Sequence, residues 1–239
     1  MPSSDSLAEE LDLSRDNLSA RIYERLRLEL MTGLHEPGSR ISIRRMAAQL
    51  NTSATPVREA IFQLIREGAL ELRPGFQPRV PVLALDEYIN IRDTRAPLER
   101  AAAELAAVHV TEEDLRQLAL FHDRYADGCR NRLWRDAVVA NQAFHFTIYR
   151  ATRNPVLIRV IEGLWLLAGP FVAQQFPRYA QEPTDLHPHL MIIDALRRRS
   201  PAEAGDLVVR DLREGSERII ARLGEAPPPK RRRARRAAE

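Results

Sequence analysis

The chain has 239 residues, of which 44% are hydrophobic and 29% are charged, with a formal net charge of +3. This size allows one large or two modest domains, and a single cysteine excludes a disulfide framework and favours a reducing compartment. The first residues resemble no signal peptide, and no apolar run approaches the roughly 18 residues of a membrane span. We therefore expect a cytoplasmic protein with no membrane partner.

Charge divides the chain into four segments. Residues 1–16 are acidic and are predicted to form a flexible leader, whereas residues 17–82 carry ten arginines against six acidic residues. Residues 83–226 are weakly acidic. Residues 227–239 are proline followed by basic residues, and we expect a disordered tail. A basic front domain indicates a polyanionic partner for that domain.

Residues 17–82 are predicted to form three helices and a hairpin. The first helix covers about 17 to 33, the second covers IRRMAAQL, and the third follows the turn at Asn51 and Thr52. The stretch LELRPGFQPRVPV then alternates, turns at Pro74-Gly75 and returns. This order is typical of a winged helix-turn-helix DNA-binding domain. A small helical dimerisation module is the alternative.

The third helix has one apolar face and one polar face. Its apolar residues recur with helical spacing, and Arg58 lies on the opposite face near the helix start, where a guanidinium can pair with guanine O6 and N7. Ser53 and Thr55 suit phosphate oxygens or a thymine methyl. For each arginine, a solvated surface charge is the alternative. The predicted DNA-binding residues are Arg44, Arg45, Ser53, Thr55, Arg58 and Arg79.

From Ala84 onward the pattern is helical throughout. Six helices are predicted near 86–109, 112–127, 131–152, 155–178, 188–199 and 201–223. Thr111 begins a capping box, and Asn154 caps a helix that has proline at its first position. Short loops imply antiparallel neighbours, so the fold class is mainly α, with an all-helical bundle over 83–226.

Four of these helices each carry a polar residue among apolar ones. These residues are Arg95, His145 (with Asn141 one turn earlier), His189 and Asp211. Buried polar groups are unfavourable unless they are partnered, which predicts a shared interior polar site. Two imidazoles and a carboxylate suit Zn²⁺ or a similar divalent metal. Ordinary core histidines are the alternative.

The same pattern leaves the role of Arg95 open. Arg95 either clamps the carboxylate of a ligand or pairs with Glu99 one turn on. Three further histidines show no convergence with the polar positions, and we expect His109, His122 and His187 to be surface or core residues.

The front domain resembles the winged helix-turn-helix domain of the GntR family of bacterial transcription regulators. In that family a Pro-Val-Arg-Glu-Ala run, here residues 56–60, opens the recognition helix, and a Gly-x-x-x-Pro-Gly turn, here 33–38, ends the first helix. The resemblance implies that Arg58 reads a base and that Arg44 contacts the DNA backbone or a base. Ala54 stands where arginine is usual, and Gln77-Pro78 where a wing glycine is usual, so one groove contact should be missing.

Residues 86–223 resemble the FCD ligand-binding domain of the FadR subgroup. Many such domains bind a metal through one Asp and three His, and an organic acid coordinates it beside an arginine. The matching positions are Asn141, His145, His189 and Asp211, so two of the four residues differ. A metal-free pocket, in which Asp211 pairs with a histidine or with Arg95, is the alternative.

These resemblances imply a ligand-responsive transcription regulator. We expect a homodimeric repressor that binds a short palindromic operator on double-stranded DNA and responds to a small organic acid. The alternative is a metal-dependent enzyme with a His/His/carboxylate centre, which would need a further carboxylate as general base.

Overall fold

Nine α-helices make up most of the described part of this computed structural model. This confirms the mainly α fold class. The structure describes residues 4–72, 76–175 and 187–225. Within these ranges, only the backbone is described for residues 4–17 and for residue 175. The helices are α1 (Ser4–Met31), α2 (Ile43–Gln49), α3 (Ala54–Arg66), α4 (Leu85–His109), α5 (Glu112–Arg130), α6 (Trp134–Ala151), α7 (Pro155–Val172), α8 (Pro188–Arg197) and α9 (Pro201–Glu225), with a 3₁₀ turn over Ala173–Gln175 after α7.

Helices α1 to α3 form the front domain around one apolar core. Leu26 and Leu30 of α1 are buried against the apolar face of α3, where Val57, Ile61 and Leu64 are also buried. Burial of this face turns the opposite face of α3 toward solvent, as the spacing predicts.

The start of α1 differs from the prediction. The helix begins at Ser4 rather than near residue 17, so most of the segment predicted as a flexible leader belongs to α1. No glycine or proline occurs between Ser4 and Met31. A change in net charge does not interrupt a helix, whereas these two residues do.

The wing consists of short paired segments in the described residues. Glu71 and Arg79 exchange backbone hydrogen bonds of 2.8 and 3.0 Å, and the backbone of residues 38–41 pairs with residues 78–80 on the other side. The predicted turn at Pro74-Gly75 lies outside the described residues. The pairing agrees with a chain that turns back on itself.

Helices α4 to α9 form the body, in which α4 packs along α9 and α5 along α6. Thr111 and Asp114 form the predicted capping box at α5, and the Asn154 side chain accepts hydrogen bonds from the backbone N–H groups of Val156 and Leu157. The six predicted helices are present. The largest difference is the end of α7 at Val172, followed by the end of α5 at Arg130 and the start of α6 at Trp134.

Helix α7 is the most apolar helix of the body. Among the described residues it is the one helix that could span a membrane by length and composition, with a mean hydropathy of 1.6 over 18 residues. The expectation that no run approaches this length is therefore wrong. Ile161, Trp165 and Phe171 are nevertheless buried in the protein, and Glu162 accepts a 2.8 Å hydrogen bond from Arg27 of α1. These contacts fit a core helix.

The front domain and the body meet where α1 ends against α7. A Cβ atom built on Gly169 would lie 2.5 Å from Cα of Met31 and 2.6 Å from its carbonyl oxygen. At Gly33 a built Cβ would collide with Cβ of Ala173. The backbones of the two domains are therefore in direct contact at this joint.

Candidate functional site

The start of α3 presents an exposed polar surface. Ser53, Thr55 and Arg58 are exposed there, and Arg44 and Arg45 are exposed on the preceding α2. Ser53 is the N-cap residue of α3, but its hydroxyl makes no capping hydrogen bond. The first N–H groups of a helix and a free hydroxyl are suitable donors for a phosphate.

None of the three arginines Arg44, Arg45 and Arg58 has an ion-pair partner among the residues described. Arg79 differs, because its side chain is mostly buried and its Nε lies 3.8 Å from Oε1 of Glu71. Of the four arginines predicted to bind DNA, the exposed ones therefore lie on α2 and at the start of α3, whereas Arg79 is mostly buried.

Three of the predicted interior polar residues meet in the body. Nε2 of His145 lies 3.1 Å from Oδ2 of Asp211, and one donor atom from each of His145, His189 and Asp211 lies within 4.8 Å of the others. Asn141 is half-buried one turn before His145 on α6. Asp211 therefore pairs with His145. The sequence had left open whether its partner is a histidine or Arg95.

Two histidines that the sequence pattern assigned to surface or core join this group. Donor atoms of His122, His187 and His189 also lie within 4.8 Å of one another. His122 occurs on the apolar face of α5, four residues after Leu118, and this spacing is a signal that sequence reasoning missed. His187 precedes α8, where no periodicity marks it. We call these five residues, His122, His145, His187, His189 and Asp211, the polar centre.

Burial controls the charges of the polar centre. It lowers the pKa of His189 well below its usual value, that of His187 to about 4, and that of His122 to a smaller extent. Burial disfavours the ionised form of Asp211, but the hydrogen bond from His145 and the electrostatic effect of the neighbouring histidines together outweigh it and hold the pKa of that carboxyl below its usual range. At neutral pH the imidazoles of His122, His187 and His189 are thus neutral and the Asp211 carboxylate is ionised.

Several ring nitrogens of the polar centre have no hydrogen-bond partner among the described residues. These are Nδ1 of His122, Nδ1 of His145 and both nitrogens of His189. Buried nitrogens without partners are unfavourable, and neutral imidazoles with a carboxylate form a ligand set suited to Zn²⁺ and related metals. The residues therefore fit a divalent metal.

Arg95 lies in a buried network beside the polar centre. Its Nε donates to Oε1 of Glu99 at 2.7 Å, and Glu99 also accepts hydrogen bonds from Tyr149 at 2.8 Å and Trp165 at 2.9 Å. The Arg95 guanidinium lies 4.5 Å from the centre of the Trp165 ring, whose centroid is 5.6 Å from that of His145. Of the two roles left open for Arg95, the ion pair with Glu99 is formed.

Comparisons with known proteins match both parts of the chain. The family model described as FCD domain matches residues 90–214, just over half of the chain, and the model described as bacterial regulatory proteins, gntR family, matches residues 18–76.

Individual relatives are also transcription regulators. The chain is 30% identical to a probable D-xylose utilization operon transcriptional repressor of Paenarthrobacter nicotinovorans, over 81% of this chain and 82% of that protein. It is 29% identical to the HTH-type transcriptional regulator McbR of Escherichia coli, over 73% of this chain and 78% of that protein.

Solved structures show the same fold. E. coli McbR/YncC superposes with a TM-score of 0.79 at 24% identity, covering 86% of this chain and 98% of that chain. A putative GntR regulator from Rhodococcus superposes with a TM-score of 0.69 at 21% identity, covering 87% and 99%. Because the relatives are regulators, the alternative of a metal-dependent enzyme has no support. The chain belongs to the GntR family of bacterial transcription regulators, with a DNA-binding front domain followed by an FCD domain for an effector ligand.

Proposed function

We propose that this regulator acts in the cytoplasm as a homodimeric repressor that binds a short palindromic operator. A small organic acid in the FCD domain then changes the affinity for the operator. The observation that carries this proposal is the exposed start of α3, where Arg58, Ser53 and Thr55 lie together without competing partners among the described residues. Two copies of such a helix read two half-sites when the regulator is a dimer.

Within this surface, Arg58 is the residue that reads a base. It is exposed near the start of α3, and the first residues of a recognition helix approach base edges in the major groove. Arg44, Arg45, Ser53 and Thr55 surround it as phosphate or groove contacts. The ion pair with Glu71 makes Arg79 a weaker contact, available to DNA only after that pair is disrupted.

The first experiment is selection of bound duplexes from a random DNA library by the purified protein. A short palindrome should be enriched, and the absence of enrichment by folded protein would contradict operator binding. Sedimentation at micromolar concentration tests whether the protein is a dimer. A monomeric sedimentation behaviour would refute the proposed homodimer.

Arg58→Ala then tests base reading on the selected operator. Loss of one bidentate base contact should weaken binding by roughly fivefold to 150-fold, because such a contact contributes about 1–3 kcal/mol. Arg66→Ala is the matched control, since Arg66 is an exposed arginine in the last turn of the same helix. Fluorescence anisotropy measures the affinity of each variant for the operator. Equal losses of affinity in both variants would show that α3 contributes to binding only through its charge.

We infer further that the effector binds next to the polar centre through a divalent cation. Asn141, His145, His189 and Asp211 are the ligands that the family resemblance implies, and the unpartnered nitrogens of the histidines support a cation there. A bound cation supplies positive charge and an open coordination position for a carboxylate. Arg95 would contact the same acid through its terminal nitrogens, because its Nε is bonded to Glu99.

A panel of small carboxylic acids tests this part of the proposal. An active acid should release the protein from its operator, and removal of metal with a chelator should abolish the response while leaving operator binding intact. Release that persists without metal would show that the acid is recognised by protein side chains alone.

A further inference from the structure

The polar centre contains two possible triads of metal-binding residues that share His189. One triad is His145, His189 and Asp211, and the other is His122, His187 and His189. The first includes positions that correspond to family ligands, whereas His122 and His187 come from α5 and from the residue before α8. A neutral imidazole offers one lone pair, so His189 serves a single cation.

Hydrogen-bond partners distinguish the two triads. In the first, Nε2 of His145 and Oδ2 of Asp211 are already paired across 3.1 Å, and Nδ1 of His145 has no partner among the described residues. In the second, Nδ1 of His122 and both ring nitrogens of His189 lack partners in the described part of the chain. His187 accepts one long hydrogen bond at Nδ1, of 3.2 Å, from the backbone N–H of His189. Both triads hold three ring nitrogens without partners among the described residues, two of them on the shared His189, but the second can bind a cation without disrupting the pair of His145 with Asp211.

Two residues of the second triad are buried, and His187 is half-buried. His189 is 0% exposed and His122 is 6% exposed. The Phe144 ring stacks on the His189 ring with centroids 3.8 Å apart. The ring centroid of Tyr125 lies 5.1 Å from the ring centroids of both His187 and His189. These aromatic neighbours fix the ring positions without occupying the nitrogens.

We propose that His122 and His187, together with His189, bind a divalent metal ion in the FCD domain of this chain. This inference rests on the cation proposed above and changes its ligands. The two additional imidazoles compensate for Asn141 and Asp211, which stand where the family has Asp and His. When the cation binds, it takes the lone pair on Nδ1 of His187 and replaces the long hydrogen bond from the backbone N–H of His189.

The donor set selects the type of cation. Three imidazoles are typical ligands of Zn²⁺, Co²⁺ and Ni²⁺, whereas Mg²⁺ and Ca²⁺ prefer oxygen ligands. Asp211 remains paired with His145 beside the ion, where it balances part of the added charge. Mg²⁺ should therefore not compete with Zn²⁺ at this site.

The test measures zinc binding by the full-length protein after metal removal. His122→Gln and His187→Gln should each weaken zinc binding at least about tenfold. His109→Gln is the control, because His109 is exposed at the end of α4, and its affinity should match that of the wild type. Unchanged affinity in both test variants, with loss in His189→Gln, would assign the metal to the His145, His189 and Asp211 triad and overturn the inference.

A measurement on the wild type covers the case in which a variant fails to fold. In protein labelled with ¹⁵N-histidine, one equivalent of zinc should shift one ring nitrogen each of His122, His187 and His189. Zinc-induced shifts that exclude His122 and His187, or no saturable zinc binding, would refute the inference. Operator selection with the same metal-free protein tests the proposed function separately, because it does not require the cation.

Discussion

Replacing Gly169 with alanine tests the contact between α1 and α7. The added Cβ would lie 2.5 Å from Cα of Met31, 2.6 Å from the Met31 oxygen and 2.7 Å from the Leu30 oxygen. Non-bonded carbon atoms prefer about 3.5–4.0 Å, so the two helices must separate by roughly 1 Å. Backbone atoms cannot rotate away as a side chain can, and overpacking of this kind costs about 1–3 kcal/mol.

Gly163→Ala is a control on the same helix. A Cβ built on Gly163 has no heavy atom within 4 Å, so alanine should stabilise the protein by roughly 0.5–1 kcal/mol through helix propensity. The two substitutions are chemically identical but should change the free energy of unfolding in opposite directions. Urea unfolding measures both effects.

Gly169→Ala should also change the affinity for the selected operator. The residues that it displaces, Leu30 and Met31, end the helix that carries the front domain, whereas Gly163→Ala leaves this joint unchanged. If Gly169→Ala is as stable as Gly163→Ala and binds the operator like the wild type, close contact at the joint does not set the relative position of the domains.

Two further substitutions test buried polar contacts. Glu99→Gln should lower the free energy of unfolding by about 3–5 kcal/mol, because it leaves the Arg95 guanidinium buried without a counter-charge. Glu104 forms an ion pair of the same spacing with Arg100, and this pair is part-exposed. Glu104→Gln should therefore lower the free energy of unfolding by less than about 1 kcal/mol in the same urea assay. Equal losses of stability in the two variants would contradict this reasoning. Burial and the hydrogen bond to Glu67 raise the pKa of Tyr23 to about 12, so the folded state keeps this proton more tightly than the unfolded state does. The wild type should therefore lose stability between pH 9 and pH 11 by up to about 1 kcal/mol more than Tyr23→Phe, and parallel pH profiles would refute this effect.

The helices of this protein follow from short-range interactions in the sequence. Apolar spacing in α3 and the capping residues Thr111 and Asn154 predict elements that the structure contains, because these interactions join residues no more than a few positions apart. The ion pair of Arg95 with Glu99 is also local, one turn apart, and was one of two predicted alternatives.

The composition of the polar centre depends on helix packing. The spacing indicated that His145, His189 and Asp211 point into the body, but their approach to His122 depends on how α5 lies against α6 and α8. No local pattern marks His187, because it precedes its helix. Sequence periodicity shows which face of a helix is buried, whereas the axial register between two helices is set by side chains from both.

The sequence by itself therefore determined the fold class, the two-part organisation, the polar face of α3 and three members of the interior centre. Tertiary structure decided that Gly169 meets Met31 and that His122 and His187 complete the centre. The physical reason is distance along the chain. Capping and amphipathicity act within a few residues, but contacts between separate helices exist only after the whole core has packed.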